Sequence, residues 1–105
     1  MEKKVWSEIE RFSSEKHLHV PVFVGERAKV LLLCLSPGLT VPPHSHPGFE
    51  ITLQPLRGKA VMSTPEGVDM ELQPGEIYFT DGAASFSPRN PFGEEFEMLI
   101  HLVKK

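Results

Sequence analysis

Apolar and polar side chains alternate along much of the chain beyond residue 17. Val68, Met70 and Leu72 alternate with acidic residues, and residues 96–102 repeat the alternation near the end of the chain. A period of two is typical of a β-strand that buries one face. The pattern therefore predicts strands there and in further short segments, namely residues 20–24, 29–35, 51–53, 59–63 and 77–80.

Turn-forming residues separate these segments. The chain has ten prolines and eight glycines, and all of them except Pro21 and Gly25 lie between residues 37 and 93. A helix interior does not tolerate such a density of proline, so short strands joined by tight turns are expected. The predicted turns lie at Pro37-Gly38, Pro47-Gly48, Pro65-Glu66-Gly67, Pro74-Gly75 and Asp81-Gly82. Short strands separated by regularly spaced turns predict an antiparallel all-β sandwich or a jelly-roll barrel.

The N-terminal segment has a helical period instead. Val5, Ile9 and Phe12 stand at i, i+4 and i+7, which predicts an amphipathic helix over residues 2–14, packed on the outside of the barrel. Residues 18–103 would form the barrel. Because the 105 residues contain no linker and no internal repeat, we expect a single domain.

Composition excludes several classes of protein. Eleven basic and fourteen acidic side chains give a net charge of −3 without any basic run, so neither a nucleic acid nor a membrane is the expected partner. The apolar run at residues 30–35 is too short to cross a bilayer, and the first twenty residues contain no hydrophobic signal region. Cys34 is the single cysteine, which excludes an internal disulfide. A soluble, cytoplasmic domain is expected.

The segment GLTVPPHSHPGFE, residues 38–50, carries the candidate chemistry. His44 and His46 stand at i and i+2, so they share one face of an extended strand. Glu50 has the same parity if the extended conformation survives the bend at residues 47 and 48. Two imidazoles and one carboxylate on one wall suit Fe(II), Mn(II), Ni(II) or Zn(II), with coordination positions left open.

A second pair of histidines limits the weight of that pattern. His17 and His19 have the same spacing, but no acidic residue follows at a matching distance. We interpret them as a partly exposed pair on a strand, which shows that two histidines separated by one residue are a weak signal by themselves.

The spacing of the glycine, the two histidines and the glutamate in residues 38–50 strengthens the indication of a metal site. Glycine, five residues, histidine, one residue, histidine, three residues and glutamate across residues 38–50 resembles the first conserved motif of the cupin superfamily. That motif continues with a glycine after six residues, whereas Gly58 follows Glu50 after seven. A one-residue bulge near Pro55 would account for the difference.

A second pattern follows in the expected order. The second cupin motif is a glycine, five residues, Pro-x-Gly, two residues, a histidine, three residues and an asparagine. Aligned on Gly75, it places Asp81 at the proline, Ala83 at the second glycine, Phe86 at the histidine and Asn90 at the asparagine. The resemblance thus extends over much of the chain, with a variant second motif.

The resemblance implies a monocupin, that is, a double-stranded β-helix or jelly-roll barrel with a short N-terminal helix. It also implies a divalent metal ion held by His44, His46 and Glu50. Phe86 replaces a histidine that commonly serves as a further ligand, so either other groups complete the metal's coordination sphere or the site binds no metal. His101 is the histidine left to substitute, although its strand parity predicts a surface position or a subunit contact.

Several functions are compatible with these residues. With Fe(II) a dioxygenase-like reaction is expected, and with Zn(II), Ni(II) or Mn(II) an isomerase or lyase reaction. The alternatives are a non-catalytic cupin that binds or senses a small organic molecule, such as a carboxylate, and a metal-free structural cupin. Phe86, Tyr78 and His101 are the candidate pocket residues. A homodimer is expected from the resemblance and from residues 29–35, which are apolar on both faces.

Overall fold

One helical turn and eight strands form the part of the chain that the computed structural model describes, residues 1–64 and 66–105. Pro65, in one of the predicted turns, lies outside the described residues. The elements are α1 (Trp6–Ile9), β1 (Leu18–Val24), β2 (Ala28–Leu35), β3 (Phe49–Arg57), β4 (Ala60–Ser63), β5 (Asp69–Leu72), β6 (Tyr78–Asp81), β7 (Ser87–Arg89) and β8 (Phe96–Lys104). The predicted all-β architecture is confirmed.

Two antiparallel sheets enclose the core. The larger sheet has the strand order β1-β2-β8-β3-β6, and the smaller has the order β5-β4-β7. Isolated bridges from Thr40 to Arg89 and from His44 to Phe86 continue the smaller sheet along residues 40–44. That segment leads directly into the candidate site. No helix in the described residues has the length and apolarity needed to cross a membrane.

The core consists of the inward faces of both sheets, as the alternation predicts. On β8, Phe96, Met98, Ile100 and Leu102 are at most 4% exposed and pack against inward residues of β2 and β3. Fully burying a side chain of this size contributes roughly 1.5–3 kcal/mol. The core therefore holds the two sheets together.

The apolar side chains at residues 68–72 are less buried than their alternation predicts. Leu72 is buried, but Val68 is 62% exposed and Met70 is 48% exposed. The prediction of a strand is confirmed for β5, whereas the prediction that its apolar face is half-buried is wrong for these two residues. The reason is that β5 is an edge strand of the smaller sheet, so few neighbours cover it.

The predicted helix over residues 2–14 is reduced to one turn, Trp6–Ile9. Val5 provides no side-chain cap, and Glu10 is already extended, with φ −61° and ψ 144°. A helix this short is not stable by itself in water. The following residues instead lie on the outer face of the larger sheet, where the Arg11 N–H donates to Cys34 Sγ at 3.5 Å. Cys34 is buried, and burial raises the pKa of its thiol.

Three carboxylates surround one guanidinium beneath this segment. Arg57 lies 3.6 Å from Glu10, 2.6 Å from Glu95 and 3.3 Å from Glu97. It also lies over the Phe12 ring, 5.5 Å from the centroid. Glu97 is 0% exposed, and its burial, together with the neighbouring Glu10 carboxyl, raises its pKa to about 8. One arginine therefore connects the N-terminal segment to β3 and β8.

The raised pKa of Glu97 predicts that stability depends on pH. The folded protein retains a proton that an unfolded glutamate releases near pH 4.3, so this stabilisation is present below that pH and is lost as the pH rises towards 8. We expect the free energy of unfolding to be lower at pH 8.5 than at pH 6, and Glu97→Gln to reduce the difference. Urea denaturation at both pH values measures it.

Glu71→Gln is the control for this measurement, because Glu71 forms an exposed ion pair with Lys59. It should leave the pH dependence of unfolding as in the unmodified protein. Equal pH dependence in the unmodified protein and in Glu97→Gln would contradict the attribution of this pH dependence to Glu97.

Candidate functional site

His44 and His46 lie side by side, as the sequence predicts. Their ring centroids are 5.2 Å apart with the rings at 90°. The His44 N–H donates to the Phe86 carbonyl at 3.2 Å, and the Phe86 N–H donates back to the His44 carbonyl at 3.1 Å. The two rings, His44 and Phe86, are 4.9 Å apart. The structure thus places Phe86 beside the histidine pair, where the resemblance places the second-motif histidine.

Glu50 does not join these two histidines. It is exposed, while the residue after it, Ile51, is 1% exposed and faces the core. The chain turns at Gly48, which has φ +88°, and the Phe49 N–H donates to the His46 carbonyl, so the extended parity is lost before β3 begins. The expectation that Glu50 shares a face with the histidines is therefore wrong.

Gly58 follows Glu50 one residue later than in the cupin motif. The predicted bulge near Pro55 is confirmed, since the register of β3 with β8 shifts between Pro55 and Arg57.

The donor set of the expected metal site does not fit this arrangement. The set requires two imidazoles and a carboxylate around one point, but Glu50 is turned to the opposite face of β3 and Phe86 offers no donor. No group of three or more histidine, cysteine, aspartate or glutamate side chains is arranged for one metal ion in residues 1–64 and 66–105. Metal binding by this protein stays a prediction.

The histidine pair at the start of β1, by contrast, lies beside residues 44–46. His19 is paired with Leu33, a core residue of β2, and residues paired across two strands share a face, so His19 lies on the inner side of the sheet. Its ring centroid is 5.2 Å from that of His17 and 6.5 Å from that of His44. We call these four residues, His17, His19, His44 and His46, the histidine row.

The histidine row is not apparent in the sequence because the two pairs are far apart along the chain and share no motif. The sequence predicts a partly exposed pair at His17 and His19, and His19 is exposed. What the sequence did not indicate is the pairing of β1 with β2, which brings the edge of the larger sheet next to residues 44–46.

Partial burial and mutual proximity lower the basicity of His17, His19 and His46. Partial loss of hydration, followed by the proximity of the other three histidines, lowers the pKa of His19 to about 4. Loss of hydration and the neighbouring His44 also lower the pKa of His17 and of His46. These three imidazoles are therefore neutral at pH 7.

A cavity of about 400 Å³ opens on the other side of Phe86. Phe86 and Tyr78, two of the candidate pocket residues, line it. Of the two neighbouring aromatic residues on β6, Tyr78 faces inward opposite Leu53, whereas Phe79 is 83% exposed at the rim. The remaining wall is largely apolar and includes Met62, Met70 and Leu72.

Tyr78 keeps its proton at one side of this cavity. Its hydroxyl donates to the Glu71 carbonyl oxygen at 3.0 Å or to the Glu76 carboxylate, which it contacts. Partial burial, together with the Glu76 carboxylate, raises the pKa of Tyr78 to about 12. Tyr78 is therefore a hydrogen-bonding group and not a base at neutral pH.

His101 does not line the cavity. It pairs with Val30 on β2 and with Thr52 on β3, on the outer face of the larger sheet. Its assignment to the pocket was wrong, and the outward position that the strand parity indicated is the correct one.

Comparisons with solved structures agree with the fold. A protein of Thermus thermophilus is 29% identical, with a TM-score of 0.90, over 99% of this chain and 98% of that one. An uncharacterised double-stranded β-helix protein of Klebsiella pneumoniae is 20% identical, with a TM-score of 0.89, over 96% and 83%. An RmlC-like cupin of Desulfovibrio desulfuricans is 17% identical, with a TM-score of 0.85, over 98% and 96%. No protein-family model and no curated protein matches the chain.

The strand order, the cavity and these likenesses together define the class. The chain has the double-stranded β-helix fold of the cupins.

Proposed function

We propose that this cupin is a binding module for a small, uncharged and mainly apolar organic molecule. The observation that carries the proposal is the cavity of about 400 Å³, whose wall is largely apolar. Small-molecule sites in proteins typically have this size and combine apolar walls with a few polar groups. Here Thr64, Tyr78 and Ser85 supply the polar groups that would orient the ligand.

The charge of the lining argues against an anionic ligand. Among the described lining residues, Glu66 is the acidic one, and no lysine, arginine or histidine accompanies it. A carboxylate ligand would have to lose hydration next to Glu66 without gaining a cationic partner. A neutral molecule with one hydrogen-bonding group meets no such cost.

The same lining favours binding over catalysis. Its titratable groups among the described residues are Glu66 and Tyr78, and Tyr78 keeps its proton because its pKa is raised to about 12. General acid–base catalysis requires groups whose pKa lies near the operating pH. The cavity therefore supports recognition of a ligand more than proton transfer to it.

Two neighbouring alanines provide a matched test. Ala84 lines the cavity, whereas Ala83 is exposed and does not line it. We expect indole, a neutral aromatic probe, to bind saturably to the unmodified protein and to Ala83→Trp in ligand-detected NMR. Because a tryptophan side chain would occupy the cavity, Ala84→Trp should weaken indole binding by about tenfold or more.

Benzoate is the anionic comparison, and it should bind more weakly than indole. If Ala84→Trp fails to fold, Ser85→Leu narrows the same cavity with a smaller change. Indole binding that survives both cavity variants, or that weakens equally in Ala83→Trp, would contradict the proposal.

We also propose the homodimer that the sequence suggests. A continuous row of side chains crosses the outer face of the larger sheet, formed by Phe23, Val30, His101, Thr52 and Phe79. Phe23 is 55% exposed and Phe79 is 83% exposed. Exposed apolar side chains on one face favour association with another protein surface, here that of a second copy.

A further inference from the structure

Four of the polar side chains that line the cavity carry a hydroxyl group, namely Thr64, Tyr78, Thr80 and Ser85. We propose that the molecule recognised there carries a hydrogen-bond donor, an N–H or O–H group, which the lining accepts through the hydroxyl oxygens of Thr64 and Tyr78. This inference rests on the proposed binding of a small, uncharged molecule, and it narrows the polar group of that molecule to a donor.

The Thr64 hydroxyl already uses its hydrogen within the protein. It donates to the Val68 carbonyl oxygen at 2.9 Å, in a turn in which the Gly67 N–H also donates to the Thr64 carbonyl at 3.0 Å. A carbonyl oxygen has no hydrogen to donate, so the bond from Thr64 to Val68 has only one possible direction. Because a hydroxyl group has one hydrogen and two lone pairs, Thr64 offers a ligand an acceptor.

The Tyr78 hydroxyl offers the same. Its hydrogen goes to the Glu71 carbonyl oxygen at 3.0 Å or to the Glu76 carboxylate. Partial burial and this carboxylate raise the pKa of Tyr78 to about 12, so the hydroxyl keeps its hydrogen at neutral pH. Whichever neighbour accepts it, the hydrogen is bonded within the protein, and the oxygen lone pairs are left for a ligand.

The other polar side chains of the lining agree with this distribution. Thr80 donates to the Asp81 carbonyl oxygen over a longer distance of 3.4 Å, and a carboxylate such as that of Glu66 only accepts hydrogen bonds. Ser85 can either donate or accept. No lysine, arginine, histidine, asparagine, glutamine or tryptophan is among the described lining residues, so their side chains offer more acceptors than donors.

An excess of acceptors disfavours a ligand that can only accept. To bond with Thr64 or Tyr78, such a ligand would have to draw the hydroxyl hydrogen away from its present acceptor, which breaks one hydrogen bond for each that forms. A ligand with an N–H or O–H group adds a hydrogen bond and breaks none within the protein. The net contribution of one neutral hydrogen bond corresponds to about fivefold in affinity.

Indole and benzofuran test the inference, because they have nearly the same shape and differ by an N–H group in place of a ring oxygen. We expect indole to bind the unmodified protein at least about fivefold more tightly than benzofuran in ligand-detected NMR titrations. Benzofuran is the less polar of the two, so the hydrophobic effect alone would favour benzofuran. In the double variant Thr64→Val, Tyr78→Phe, the preference for indole should fall to about twofold or less.

Thr52→Val is the matched control for the double variant. It removes a hydroxyl group from the outer face of β3, opposite His101 and outside the cavity lining, so it should retain the preference for indole. A preference that is unchanged in the folded double variant would contradict the assignment of Thr64 and Tyr78 as the acceptors. The comparison of the two ligands on the unmodified protein remains decisive if the double variant does not fold.

Failure of this inference is distinguishable from failure of the proposed function. Equal affinity for indole and benzofuran in the unmodified protein, with both weakened in Ala84→Trp, would overturn the inference and leave the cavity as the binding site. Indole binding that does not saturate, or that survives in the cavity variants, would overturn both.

Discussion

Replacing Asn90 with alanine is expected to lower the free energy of unfolding by about 3–5 kcal/mol. The Asn90 side chain is 1% exposed and joins three backbone groups. Its amide donates to the Leu35 carbonyl at 3.0 Å and to the Glu94 carbonyl at 2.7 Å, and its oxygen accepts from the Phe92 N–H at 3.0 Å. Truncation leaves all three without that partner, and a buried polar group without a partner costs about 1–3 kcal/mol.

Urea denaturation at pH 7 measures this loss. Gln73→Ala is the matched control, because it removes an amide side chain from a half-buried position in the loop between β5 and β6. It should change the free energy of unfolding by less than about 1 kcal/mol. A comparably small effect for Asn90→Ala would show that water replaces the three hydrogen bonds.

Gly82→Ala is expected to destabilise the fold by about 3 kcal/mol and to disturb the histidine row at the same time. A Cβ atom at residue 82 would overlap the His46 carbonyl oxygen and lie 2.6 Å from the Phe49 carbonyl oxygen, both of them backbone atoms. Gly82 also pairs with this segment, since its N–H donates to Phe49 at 2.8 Å and its carbonyl accepts from His46 at 2.6 Å. The added methyl group therefore has to push His46 away.

Gly93→Ala is the control for this clash, because no atom lies within 4 Å of the position of its Cβ. Thermal unfolding of the two variants should show a large loss for Gly82→Ala and little change for Gly93→Ala. Equal behaviour of the two variants would mean that residues 46–49 adapt to the added methyl group without cost.

Local patterns were sufficient for much of the fold. The alternation at residues 96–102 predicts β8 and its buried face because the side-chain period of a strand depends only on the backbone. The second motif likewise predicted Phe86 beside His44 correctly, and the two residues form a β-bridge. The spacing within the two motifs was sufficient because it reflects which segments pair with each other. The helical period predicted a helix over residues 2–14, but only Trp6–Ile9 are helical. Periodicity was not sufficient there because a short helix is not stable in water without tertiary contacts.

The candidate site shows where local patterns are not sufficient. The parity that linked Glu50 to His46 assumed an extended chain, and the positive φ of Gly48 interrupts it. His17 and His19 were set aside because nothing close to them in the sequence completes a ligand set. The alignment of β1 with β2 then brings the His19 ring to a centroid distance of 6.5 Å from the His44 ring.

By itself the sequence determined that this protein is an all-β monocupin-type fold with an apolar core, because strand period, turn residues and motif spacing are properties of neighbouring residues. Only the tertiary structure decided which side chains meet: four histidines in one row, Glu50 on the opposite face, and Phe86 between the row and an apolar cavity. The physical reason is that strand register and a single turn conformation set the direction of each side chain, and both depend on contacts between segments that are distant along the chain.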